Sequence, residues 1–114
     1  MVEIKAHSNY HIATIKIAEA NMEQADVFKH ELITEMDSGR KQIVISFENV
    51  QYIDSSFLGA LVASLKHALA KGGDLAVYGL NENILNLFEM IRMDKVFKVF
   101  KTLPASYEDG WVAG

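Results

Sequence analysis

Apolar and polar positions along this chain change period several times, and each change marks an element. Val2 and Ile4 stand two apart, and a second apolar group, with Ile12, Ile15 and Ile17, follows the polar pair Ser8-Asn9. Spacing of this kind predicts a short edge strand, a polar turn and a second strand over residues 11–17. From Met22 the period lengthens: Met22, Ala25, Phe28, Leu32 and Met36 recur at steps of three and four. That is one stripe of a helix, with Asn21 as its cap and Gly39 just past its last periodic position.

The run Ile43-Val44-Ile45-Ser46-Phe47 is β-branched and does not alternate, which suits a central strand covered on both faces. Val50, Tyr52 and Ile53 lead from it into Asp54-Ser55-Ser56. Leu58, Leu61, Val62, Leu65 and Leu69 then trace a second amphipathic helix, closed by Gly72-Gly73. Leu75 to Tyr78 reads as another buried strand, and Asn81 as the cap of a third helix with Ile84, Leu87, Phe88 and Ile91 inward. Phe97, Val99 and Phe100 suggest a last short strand, and Pro104 is placed to begin a terminal helix. Strands that alternate with helices predict an α/β domain whose central sheet is mixed but mostly parallel. With no repeat or linker visible, residues 1–114 are expected to form a single domain.

Composition narrows the function classes. The chain has no cysteine, which removes disulfides, thiolate catalysis and cysteine-based metal sites. A formal net charge of −4 argues against nucleic acid, whose phosphates select basic surfaces. No apolar run approaches the roughly 20 residues needed to cross a membrane, and the N-terminus lacks a signal-peptide stretch. The expectation is a cytoplasmic protein with neither nucleic acid nor membrane as partner.

The candidate chemistry is sparse. Asp54-Ser55-Ser56 falls at a helix start, where unpaired N–H groups and the positive dipole end favour an anion. The same residues are also the commonest helix caps, and local chemistry does not separate a phosphorylation site from a cap. His7 and His11 bracket a turn and are read as surface side chains, so no metal site is expected. Asp26, Glu31, Glu35 and Asp37 fit the solvated face of the first helix better than acid–base catalysis. Gly72-Gly73 follows a helix, whereas phosphate loops precede one. Met22, Met36, Met90 and Met93 read as core or groove filler, with exposure the alternative for Met90 and Met93, which flank a turn. Neither a cofactor nor an enzyme activity is predicted.

The segments Val44-Ile45-Ser46-Phe47, Val50, Ile53-Asp54-Ser55-Ser56 and Leu58-Gly59 together resemble the STAS domain of anti-sigma-factor antagonists. The likeness continues through Gly72-Gly73, Leu75 to Tyr78, Asn81 to Phe88 and Phe97 to Phe100. It implies the STAS fold and a phosphorylation-switched regulatory binding protein. The unphosphorylated form would bind an anti-sigma factor or serine protein kinase and release its client. A serine/threonine phosphatase would reset the switch. The resemblance places the phosphate on Ser55, with Ser56 as the neighbouring alternative, and the partner surface at Asn21, Asp54, Ser55, Ser56 and Phe57. One position and one segment depart from the pattern. Phe57 stands where the family has glycine, which implies a reshaped partner surface, and Ala18-Glu19-Ala20-Asn21 replaces a G-x-L-D motif. A STAS scaffold or accessory subunit without a switch is the alternative, followed by a small nucleotide-binding protein.

Overall fold

The computed structural model describes residues 1–107. Its strands are β1 (Val2–His7), β2 (Tyr10–Ile15), β3 (Glu19–Ala20), β4 (Gln42–Ser46), β5 (Tyr52–Ile53), β6 (Asp74–Tyr78) and β7 (Lys98–Phe100). Its helices are α1 (Met22–Asp37), α2 (Ser55–Ala70) and α3 (Glu82–Met90), with one 3₁₀ turn over Met93–Lys95. Five strands form the main sheet in the order β1-β2-β4-β6-β7. The β1–β2 hairpin is antiparallel and every other pairing in this sheet is parallel, as the alternation of elements predicts. The Ser8-Asn9 turn closes the hairpin with Ser8 at φ 55°.

β4 holds the centre of the sheet, and all five residues from Ile43 to Phe47 are buried. Ile43 and Ile45, with Ala13, Ile15, Leu75 and Val77, face the helices and share one core with Phe28, Leu32, Leu61, Leu65, Ile84 and Phe88. Val44 and Ala76 face the other way and pack with Tyr10 under Leu103 and Tyr107. Thus the non-alternating run has the predicted cause: one side lies under helices, the other under the segment after β7. The helices end as expected, with Gly39 at φ 105° and Gly72 at φ 79°. Gly73 lies so close to Lys41 that a side chain there would collide with its carbonyl.

Several expectations change. The second strand runs over Tyr10–Ile15 rather than residues 11–17; it stops with β4, and the Asn49 side-chain amide donates to the Ile15 carbonyl at 3.2 Å. Met22, Leu69 and Ile91 belong to the apolar stripes but are exposed, because each sits at or just past a helix end, where the stripe outruns the core. Of the two methionines beside the turn, Met90 takes the exposed alternative and Met93 is buried, as is Met36. Residues 104–107 form no helix, and the Tyr10 hydroxyl donates to the Pro104 carbonyl at 2.6 Å. The remainder of the terminal helix expected there lies outside the described residues.

Candidate functional site

The site begins with two strands too short to show a period. β3 and β5 pair in parallel, Glu19 beside Tyr52 and Ala20 beside Ile53. The Asp54 N–H donates to the Ala20 carbonyl at 3.1 Å and the Gln51 N–H to the Ala18 carbonyl at 2.8 Å. These bonds bring the residues that precede α1 and α2 side by side. A further brace comes from Asn81, which caps α3 at the Ile84 N–H (2.8 Å) while its amide donates to the Gln51 carbonyl at 3.2 Å. Three helix starts are thereby tied to one end of the molecule.

Asp54 joins two of them directly. Its Oδ1 accepts the Phe57 N–H at 2.9 Å, which caps α2. Its Oδ2 accepts the Met22 N–H at 2.8 Å, at the first turn of α1. Asn21 caps α1 independently, accepting the Glu23 N–H at 3.0 Å. One carboxylate therefore satisfies otherwise orphaned donors on neighbouring helices and places its charge at the positive ends of both.

With Asp54 occupied in this way, Ser55 and Ser56 are left exposed on the first turn of α2. Neither is needed as the cap, since Asp54 already takes that role. Gly59 lies one turn beyond Ser55, is exposed, and a Cβ built on it meets nothing within 4 Å. An open strip along α2 thus begins at the serines. Two large apolar side chains close in the chain to these bonds are exposed: Met22, whose N–H is bound by Asp54, at 69 %, and Tyr52, two residues before Asp54, at 59 %.

Of the residues expected at the partner surface, Asn21, Asp54, Ser55 and Ser56 come together here. Phe57 does not lie on that surface. It is fully buried, stacked against Phe28 with ring centroids 4.4 Å apart and a 33° tilt. At the third position of α2 the side chain turns toward α1, so the ring enlarges the core between the two helices. The sequence pattern does not mark Met22 and Tyr52 as surface: Met22 matches the helical stripe, and Tyr52 lies in an apolar run. The signal that marks them is their position at element ends. Among the described residues, no group of three or more His, Asp or Glu side chains is arranged to hold a metal ion. No helix there is long and apolar enough to cross a membrane.

Comparison with known proteins gives a consistent picture. The STAS domain family model matches residues 5–105. A Thermotoga maritima protein assigned to the anti-sigma factor antagonists is 29% identical over 92 residues, covering 80% of this chain and 81% of its own. A crystal structure of an anti-sigma factor antagonist assigned in T. maritima superposes with a TM-score of 0.78 at 25% identity, covering 90% of this chain and 87% of that one. The anti-sigma-B factor antagonist of Staphylococcus aureus is 33% identical over 70 residues, covering 60% of this chain and 65% of its own.

Proposed function

The chain belongs to the STAS domain family, and from that premise we propose that it is a regulatory binding protein switched by phosphate on Ser55. The observation that carries the reading is the division of labour at the start of α2. Asp54 makes the structural bonds, and Ser55 is exposed beside it on the first turn of α2. A side chain that neither caps nor packs is free to be modified without loss of the fold.

In the unphosphorylated state, the strip formed by Ser55, Ser56 and Gly59, together with Met22 and Tyr52, receives an anti-sigma factor or serine protein kinase. The anti-sigma factor antagonists among its relatives support that class of partner. Exposed Met and Tyr fit a docking surface: the first adapts to its partner, the second offers rigid area with a polar tip. Phosphorylation adds about −1.5 to −2 charges to Ser55. The helix start tolerates that charge within the molecule, since the dipole and the free N–H groups favour it. Across an interface already containing Asp54, the same charge opposes any acidic partner group, and like-charge contacts cost several kcal/mol. Binding is lost while the fold persists, and a serine/threonine phosphatase restores it.

Incubation with a purified anti-sigma factor kinase and ATP, followed by intact-mass measurement, tests the modification. The wild type and Ser56→Ala should each gain one phosphate, and Ser55→Ala none. Phosphate retained by Ser55→Ala and lost by Ser56→Ala would move the site to Ser56. Absence of phosphate in all three would favour a scaffold without a switch.

A further inference from the structure

The far edge of the sheet carries a second pattern, separate from the proposed switch. β1 is an edge strand of six residues, Val2-Glu3-Ile4-Lys5-Ala6-His7. Its register with β2 pairs Glu3 with Thr14, Lys5 with Ile12 and His7 with Tyr10. The Lys16 N–H donates to the Met1 carbonyl at 2.8 Å, which fixes the odd-numbered residues of β1 as those bonded to β2. In an antiparallel ladder the alternate residues turn their N–H and C=O groups away. Val2, Ile4 and Ala6 therefore point theirs at the open edge, and the Val2 N–H is taken there by Glu31 Oε1 at 3.1 Å. The N–H groups of Ile4 and Ala6, and the carbonyls of Val2, Ile4 and Ala6, form an open row.

We propose that a second copy of this chain pairs along that row, β1 against β1 in antiparallel register about a twofold axis at Ile4. The register follows from charge. With Ile4 opposite Ile4, Glu3 of each copy lies opposite Lys5 of the other, and Val2 lies opposite Ala6. The bonding pairs are then Ile4–Ile4 and Ala6–Val2, the residues whose groups point outward. Two ladder bonds form between the Ile4 residues, and each Ala6 exchanges two with Val2 of the other copy, its carbonyl displacing Glu31 from the Val2 N–H. Glu3 and Lys5 become non-bonded pairs, the type whose side chains approach most closely, and opposite charges there stabilise pairing. Both are solvent-exposed and already on one face, 3.7 Å apart within the single chain.

Charged residues on an edge strand ordinarily discourage pairing. Here the two charges are of opposite sign and equally spaced about Ile4, so a twofold axis turns each into a complement. Such an isologous contact closes after two copies and leads to no fibre. The other edge, β7, has only three residues and offers a much shorter row. The dimer leaves both switch surfaces open, because β1 contributes none of their residues.

Sedimentation velocity over a concentration series tests this with the whole chain. The wild type should show a monomer–dimer equilibrium. Lys5→Glu sets Glu opposite Glu twice and should weaken the dimer at least about tenfold. The exchange Glu3→Lys with Lys5→Glu restores complementarity and should return the wild-type equilibrium. Ala6→Pro removes two ladder donors at a position where an edge strand tolerates proline, and should also yield monomer. Circular dichroism melting establishes that each variant is folded. A wild type that stays monomeric at the highest concentration overturns the proposal. So does a dimer that Lys5→Glu and Ala6→Pro leave unchanged in folded protein.

Discussion

The carboxylate of Asp54 accepts the backbone N–H of Met22, 32 residues earlier in the chain, at 2.8 Å. Its other oxygen caps α2 at Phe57, so a single side chain fixes the relative position of two helix starts. A capping residue replaced by alanine costs about 0.5–2 kcal/mol, and Asp54 does this work twice. Asp54→Ala is expected to lower the unfolding free energy by about 2–3 kcal/mol in urea titration. Asp54→Asn keeps one acceptor oxygen and should lose about half as much. Equal, small losses would mean that the bridge to Met22 contributes nothing.

Phe57 is a core residue between α2 and α1. Phe57→Gly removes a fully buried ring packed on Phe28 and introduces glycine into a helix. The cost should be at least about 3–5 kcal/mol, enough to threaten folding. Phe57→Leu retains most of the volume and should cost about 1–2 kcal/mol by the same titration. Because the ring does not reach the surface, Phe57→Leu should bind the partner as the wild type does.

Gly59 faces solvent inside α2 and has empty space where its Cβ would be. Gly59→Ala should raise stability by about 0.5–1 kcal/mol, measured as a higher urea midpoint. Gly59→Arg should fold equally well yet weaken partner binding, since it fills the strip beside Ser55. Stability and binding then move independently, which separates a surface kept open for a partner from one left unpacked by chance.

Asp37 receives a hydrogen bond from His67 Nε2 at 2.7 Å and lies 3.5 Å from the Lys71 ammonium, linking the ends of α1 and α2. The His67 bond, chiefly, holds its carboxyl below the ordinary value of 3.8. A depressed folded pKa means that the contribution is present at pH above that ordinary value and is lost as pH falls through the folded one. Asp37→Asn should therefore lower the urea midpoint slightly near neutrality, with the difference vanishing in strong acid. A difference that persists in strong acid would assign the effect to packing.

How far the sequence could be read follows from where the signals come from. The stripe from Ala25 to Met36 and the block from Ile43 to Phe47 are burial patterns, and burial repeats with the period of the element. Asn21, Asp54 and Asn81 were legible as caps because capping chemistry is local. The β3–β5 pairing was not, since two residues carry no period and their partner lies some 30 positions away. The second bond of Asp54 was hidden for the same reason. The family resemblance supplies a position for Phe57 and not a direction, which depends on how α2 packs on α1. Met22 and Tyr52 show the converse: apolar identity suggested core, and only the helix and strand ends reveal them as surface.

The central claim is that charge at Ser55 controls partner binding without altering the fold. Calorimetric titration of a purified anti-sigma factor from the same organism with wild type, Ser55→Ala and Ser55→Asp tests it directly. The account predicts comparable binding by the wild type and Ser55→Ala, and at least about a tenfold loss for Ser55→Asp, with melting curves unchanged. Equal binding by all three folded proteins would contradict it.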